Sequence, residues 1–89
     1  MKSYALFQQY IWLVNTIHKY HKLTLDEINQ HWLDTDMSEG LPIARSTFNR
    51  HRDAILDMFG VIIECDKKDG FRYYIYNSEV LEEDRKSTR

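Results

Sequence analysis

The sequence predicts a mainly α fold that ends in a small β-hairpin, an α+β class. Three segments repeat apolar residues at the spacing of an amphipathic helix, and two β-branched or aromatic runs then flank a turn that contains a glycine. The length of 89 residues suits one domain, and a hydrophobic content of 43% is too high for a disordered chain. We expect the domain to occupy residues 1–76 and a charged linker or tail to occupy residues 77–89.

The first helix is predicted over residues 4–21. Its apolar positions recur at offsets of three and four residues, and they are Phe7, Tyr10, Ile11, Val14 and Ile17. Trp12 and Leu13 widen this apolar surface. A stripe of this width is typical of a helix that packs on a core.

The second helix has the clearest start in the chain. Thr24 and Glu27 have the spacing of a capping box, in which each side chain accepts a hydrogen bond from the other residue's backbone amide. Leu23 and Ile28 flank the cap as a hydrophobic staple. Apolar residues at helical spacing then extend the helix to about Leu33.

The third helix is predicted over residues 44–59, with Gly60 as its stop. Its expected buried face consists of Phe48, Ile55, Met58 and Phe59. Residues 34–42 join it to the second helix, which is longer than the three or four residues of an ordinary helix-turn-helix. Either the second helix runs on or the loop bulges. Ala44 leaves the exact start of the third helix open.

The hairpin is predicted from a change of period. The run over residues 61–65 begins with three β-branched residues, residues 66–70 form a polar turn that ends in Gly70, and residues 71–76 alternate. Tyr73 and Ile75 fall on one face of the second strand. Cys65, the single cysteine, is expected to be a small buried hydrophobe in a chain without a disulfide.

Three helices followed by a two-stranded hairpin is the layout of a winged helix-turn-helix, whose third helix enters the major groove of DNA. The third helix and the hairpin both carry basic and hydrogen-bonding residues. Arginine can bind guanine or a phosphate through two hydrogen bonds, and asparagine can bind adenine in the same way. The candidate DNA-binding residues are Arg45, Ser46, Thr47, Asn49, Arg50, His51, Arg52, Lys67, Lys68 and Arg72.

The net charge of −2 hides an uneven distribution. Residues 41–52 carry +3 and residues 67–76 carry +2, whereas residues 26–40 carry −5. A protein that is acidic overall can therefore present one basic face. The alternative is that the arginines form an ordinary solvated face. Arg52 falls between Phe48 and Ile55, partly toward the core, and His51 either packs or contacts a phosphate.

Several segments resemble the N-terminal domain of WYL-domain bacterial transcriptional regulators, and the resemblance runs from about residue 10 to residue 75. The matching segments are residues 10–13 (YIWL), 24–29 (TLDEIN), 46–55 (STFNRHRDAI), 59–66 (FGVIIECD) and 70–75 (GFRYYI). In that family this domain is a DeoR-like winged helix that binds DNA. The resemblance implies that residues 77–89 lead to a C-terminal domain, missing here, that would bind any effector.

Signals for catalysis or metal binding are weak. The sequence has no glycine-rich phosphate loop, no His-Glu-x-x-His and no Gly-x-Ser-x-Gly, so we expect neither an enzyme nor a cofactor. His18 and His21 could touch one metal ion, but the nearest acids begin a different helix. A histidine pair at the surface is the expected interpretation, and no metal site is predicted.

We expect the chain to bind double-stranded DNA sequence-specifically, as a homodimer in the full-length protein. The alternative is a winged-helix module for protein interaction or dimerisation, which would use Tyr74 and Tyr76 on the hairpin and have no affinity for DNA. No apolar run is long enough to span a membrane, and the first residues do not resemble a secretory signal. A cytoplasmic location is therefore expected.

Overall fold

The computed structural model describes the backbone of residues 2–81 and the side chains of residues 5–81. Its helices are α1 (Lys2–Tyr20), α2 (Leu25–Leu33) and α3 (Arg45–Phe59), and its strands are β1 (Ile63–Asp66) and β2 (Arg72–Ile75). The prediction of a mainly α chain followed by a two-stranded sheet is confirmed. Of the predicted linker, residues 77 and 78 form a turn in which Asn77 is hydrogen-bonded to Gly60 and Ile62, residues 79–81 are helical, and residues 82–89 lie outside the described residues.

The core lies where the three helices meet one face of the hairpin. Phe48 of α3 is fully buried and meets the ring of Tyr73 edge-on, with ring centroids 4.6 Å apart. Tyr73 and Ile75 are both buried, as the alternation in this strand predicts. The other buried hydrophobic residues are Leu13, Val14, Ile17, Leu23, Ile28, Trp32, Ile43, Ile55, Val61 and Ile63.

The buried face of α1 differs from the predicted stripe. Leu13 is fully buried, whereas Phe7 and Ile11 are 38% and 39% exposed. The apolar surface of α1 is wider than the core it meets, so the positions of its neighbours decide which part is covered. Trp12, for example, packs edge-on against Trp32 of α2. The prediction that Met58 is buried is also wrong, because α3 meets its neighbours through Phe48 and Ile55.

The ends of the helices follow local chemistry. The Thr24 hydroxyl accepts a hydrogen bond from the Glu27 amide at 3.1 Å, and the Glu27 carboxylate accepts one from the Thr24 amide at 2.9 Å, which confirms the capping box. Gly60 ends α3 with a φ of 70°, a conformation that glycine adopts readily. At the start of α3, Ala44 provides no side-chain cap.

The connection between α2 and α3 bulges, and α2 does not run on. It contains a short 3₁₀ turn (Asp36–Ser38) and is held against α2 by two side chains. The side-chain amide of Asn29 donates a hydrogen bond from Nδ2 to the backbone carbonyl of Ile43 at 3.1 Å. Its Oδ1 accepts one from the backbone amide of Ile43 at 2.7 Å. The Trp32 indole donates to the Leu41 carbonyl at 2.9 Å. These bonds set the position from which α3 starts.

A third segment of backbone, which the sequence did not indicate, pairs with the second strand of the hairpin. β1 and β2 pair antiparallel with Ile63 opposite Ile75, and the half-buried Cys65 lies opposite Tyr73. Leu23, between α1 and α2, forms a β-bridge with Tyr73 through hydrogen bonds in both directions. The hairpin is thereby attached to the segment that immediately precedes α2.

Candidate nucleic-acid interface

The first half of α3 presents polar and basic side chains to solvent. Arg45, Ser46, Asn49 and Arg50 are exposed and Thr47 is half-buried, because the opposite face of the helix is occupied by buried residues. Without a side-chain cap at Ala44, the first amides of the helix also point outward, where they favour an anion. This end of α3 is suited to contact a polyanion.

The second half of α3 has the opposite charge. Asp53 and Asp57 are both exposed, and they follow the exposed arginines along the helix. A polyanion would be attracted to the N-terminal half of α3 and repelled by the C-terminal half. The helix therefore has a preferred end for such a ligand, in addition to an exposed face.

Two of the seven candidate residues on α3 do not lie on its exposed face. His51 is buried, with its ring edge-on to Tyr10 at 5.2 Å between centroids. Arg52 turns toward β1, where its guanidinium donates to the Ile63 carbonyl from Nε at 3.1 Å and from Nη2 at 2.7 Å. The expectation that these two side chains face DNA is corrected, because packing and hydrogen bonding within the domain already occupy them.

The turn between β1 and β2 carries the second group of basic residues. Lys67 and Lys68 are exposed in a 3₁₀ turn (Lys67–Asp69). The acids on either side of them are paired with a distant residue, since the Lys22 ammonium lies 3.0 Å from a carboxylate oxygen of Asp66 and 3.3 Å from one of Asp69. The hydrogen bond from Lys22 holds the pKa of Asp66 below its usual range. Lys22 thus offsets the acidity of the turn and leaves its two lysines facing solvent.

An exposed aromatic residue follows these lysines. Phe71 is 54% exposed and has a φ of 58°, in the left-handed region that a bulky side chain rarely adopts. Arg72, next in the chain, is half-buried, and its Nε atom is buried without a hydrogen-bond partner among the described residues. The turn therefore presents an apolar ring beside its basic groups.

The start of α3 and the β1–β2 turn belong to one surface. A cleft of about 260 Å³ lies between them, lined by Arg45 on one side and by Gly70 and Phe71 on the other. Thr24, Leu25 and Asp26, at the start of α2, also line it. The fold therefore brings Arg45 close to the end of the turn that carries Lys67 and Lys68, about twenty residues later in the sequence, although neither lysine lines the cleft.

The described part of the chain shows few features of other kinds of site. Within residues 5–81, no three His, Cys, Asp or Glu side chains are grouped so as to hold a metal ion, and His18 and His21 are half-buried and exposed respectively. None of the described helices combines the length and the apolarity needed to cross a bilayer. No family model matches the chain, and neither a characterised protein nor a solved structure shows significant similarity to it.

The burial of His51 predicts a pH dependence of stability. Burial, and to a lesser extent the charge of Arg50, lowers the pKa of His51 below its ordinary value of 6.5. Between that value and the lower pKa in the fold, the unfolded chain binds more protons than the folded chain. The free energy of unfolding should therefore fall as the pH drops from about 6.5 toward the folded pKa, and His51 should contribute no change above that window.

Urea denaturation at about pH 7.5 and about pH 5.5 measures this dependence. His51→Phe keeps a ring in the buried site and should reduce the loss of stability at the lower pH. His21→Gln, which changes an exposed histidine, should retain the loss. An equal loss in the wild type and in His51→Phe would contradict the assignment.

Proposed function

We propose that this chain is a winged helix-turn-helix module that binds double-stranded DNA for a bacterial transcriptional regulator. The observation that carries the proposal is the cleft that separates Arg45, at the uncapped start of α3, from the lysine-bearing turn of the hairpin. Two basic groups on one surface can contact the major groove and the neighbouring backbone together. The role is one of binding and involves no catalysis.

The arrangement of elements supports the same proposal. In a winged helix the third helix enters the major groove while the hairpin lies beside it as a wing. The attachment of Leu23 to Tyr73 holds the hairpin next to the start of α2 and therefore next to the start of α3. In this proposal Arg50 and Asn49 reach base edges, and Arg45, Lys67 and Lys68 contact phosphates.

The parts of the protein beyond this domain are proposed from its resemblance to WYL-domain regulators. We propose that the chain beyond Leu81, which still packs against the core, leads to a sensing domain that binds any effector. One DNA-binding module buries only roughly 600–1,000 Å² of protein surface, so a homodimer on two half-sites is proposed for the full-length protein. The proposed location is the cytoplasm.

One feature favours the alternative of a module for protein interaction. Tyr76, immediately after β2, is 66% exposed. An aromatic residue on the surface can serve as an anchor for another protein. A duplex titration separates the two functions, because DNA binding must weaken steeply with salt and a protein-interaction module would show no such affinity.

Arg50→Ala is expected to weaken binding to a selected duplex by about 1–3 kcal/mol and to relax specificity at one base position. Selection from random duplexes supplies the site, and a fluorescence titration then measures the dissociation constant. Asp57→Ala is the matched control on the exposed side of the same helix, and it should leave affinity unchanged or raise it, since it removes a negative charge. Equal affinities of Arg50→Ala and the wild type would exclude this contact.

Lys67→Ala should weaken binding to all duplexes alike and lower the slope of log affinity against log salt by about 0.9, the value for one phosphate contact. The measurement is the same titration at several salt concentrations. Lys19→Ala removes an exposed lysine at the end of α1 and should leave the slope unchanged. An unchanged slope in Lys67→Ala would mean that the hairpin turn does not contact the backbone.

A further inference from the structure

One exposed row of side chains along α1 carries no charge and begins with two apolar residues. Phe7 and Ile11, one turn apart, are 38% and 39% exposed, and Asn15 is exposed one turn after Ile11. We call these three residues the α1 face. Charged residues make up 29% of the chain, yet residues 5–17 contain none. Depletion of charge on an exposed apolar surface is typical of the centre of a protein–protein interface.

Two grooves border the α1 face. One, of about 380 Å³, is lined on its far side by Phe59, Val61, Val80 and Leu81. The other, of about 350 Å³, is lined by Trp12 and Met37. Ile11 and Asn15 line both grooves and so form a ridge between them. A ridge beside a groove is the shape with which two helices interdigitate.

We propose that the α1 face is a self-association surface, on which the ridge of one copy packs into the groove of a second copy. In a two-fold interface each residue meets the same surface of the partner, so a charge at its centre would face an equal charge. The uncharged α1 face avoids this repulsion, and the amide of Asn15 can both donate and accept. Residues 82–89 contain no apolar side chain and are unsuited to fill the groove themselves.

The position of the α1 face is compatible with simultaneous DNA binding. Phe7 contacts Phe59 at the C-terminal end of α3, with ring centroids 5.6 Å apart. The basic residues lie at the other end of this 15-residue helix, about 22 Å away along its axis. A dimer formed through α1 therefore leaves the proposed DNA surface of both copies open. Only the statement that the dimer binds DNA rests on the proposed function, because self-association can be measured without DNA.

The expected association is weak in solution. Two apolar side chains of moderate exposure and one amide supply far less than the roughly 800 Å² per partner of a standard interface. Two half-sites on one duplex would raise the effective concentration of the second copy and make binding cooperative. The proposal therefore predicts a dimer that dissociates on dilution and cooperative occupation of an inverted repeat.

Sedimentation of the 89-residue chain over a range of concentrations tests the association. The wild type should show a reversible dimer, and Ile11→Lys and Ile11→Glu should each remain monomeric. An equimolar mixture of the two variants should restore the dimer, because opposite charges then meet across the interface. Leu41→Lys changes a residue that is 67% exposed and lines neither groove, and it should associate like the wild type. Urea denaturation checks that every variant is folded.

A monomeric wild type, a dimer that persists in Ile11→Lys, or a mixture that fails to associate would each overturn the proposal. A duplex titration then separates it from the proposed function. Ile11→Lys should bind a single half-site as the wild type does and lose cooperativity on the inverted repeat. If the chain self-associates but has no affinity for DNA, the proposal of self-association through α1 stands and the DNA-binding function is rejected. If the wild type is monomeric and binds DNA without cooperativity, the DNA-binding function stands and self-association through α1 is rejected.

Discussion

Replacing Arg52 with methionine is expected to lower the free energy of unfolding by about 2–4 kcal/mol, since hydrogen bonds from a charged group each contribute about 1.5–3 kcal/mol. Its guanidinium donates two hydrogen bonds to the Ile63 carbonyl and a third, at 3.0 Å, to the Asn49 side chain. It also lies over the ring of Tyr73, 5.2 Å from the centroid. Methionine keeps the apolar stem and removes every one of these donors.

Urea denaturation followed by circular dichroism measures this loss, and Arg45→Met is the control. Arg45 is exposed at the start of α3, so its replacement should change stability by no more than about 0.5 kcal/mol. DNA affinity should show the opposite order, with the larger loss in Arg45→Met. Arg45→Met should bind more weakly because it loses a phosphate contact, whereas Arg52→Met, at temperatures where it is folded, should change affinity only through Asn49, whose side chain loses its hydrogen bond from Arg52. Equal stability of both variants would show that the Arg52 contacts add little to the fold.

Asn29→Ala is expected to lower the free energy of unfolding by a similar amount, about 2–4 kcal/mol, because it leaves two partly buried backbone groups without a partner. Those groups are the amide and the carbonyl of Ile43, which Asn29 binds at 2.7 and 3.1 Å. The same loss should loosen the connection that sets the start of α3. A reduced affinity for DNA should therefore accompany the reduced stability.

Hydrogen exchange at the Ile43 amide gives a local measurement of the same contact. The amide should be protected in the wild type and exchange faster in Asn29→Ala. Asn29→Asp keeps the acceptor for this amide and removes the donor to the carbonyl, so it should retain most of the protection and only part of the stability. Gln30→Ala, at the next and exposed position of α2, is the control. Unchanged exchange in Asn29→Ala would contradict the assigned role.

The residues of the candidate site could be predicted only in part. The exposure of Ser46 and Arg50 follows from helical period, because Phe48 and Ile55 define the opposite face of α3, and Arg45 is exposed as the first residue of the helix. Arg52 could not be assigned in this way, since a long side chain at the edge of a buried face can turn either inward or outward. The Ile63 carbonyl decides its direction, and the strand that carries this carbonyl begins eleven residues later.

Two residues that shape the basic surface, Lys22 and Phe71, are not among the site residues predicted from the sequence. Lys22 neutralises acids that lie 44 and 47 residues further along the chain, and nothing near it in the sequence indicates this pairing. Phe71 occupies a conformation typical of glycine, and its exposure depends on the path of the turn. Gly70 is predicted to end the turn, yet Phe71 also has a positive φ and β2 starts only at Arg72, so the turn runs one residue further than the glycine indicates.

By itself, the sequence determined the features that depend on near neighbours. The capping box starts α2, Gly60 ends α3, and the alternation of Tyr73 and Ile75 sets the inner face of β2. Each of these rests on hydrogen bonds or backbone preferences within a few residues, so the local composition is sufficient to encode it.

Only the tertiary structure decided which part of the apolar surface of α1 is covered, how the bulged connection is held, and which basic side chains remain in solvent. These outcomes depend on partners distant in the chain, such as Asn29 with Ile43 and Arg52 with Ile63. An apolar or basic residue has the same local preference whether or not such a partner is present. Its exposure is settled only when the elements pack, which is why the core of α1 and the edge of the proposed DNA surface could not be predicted from period alone.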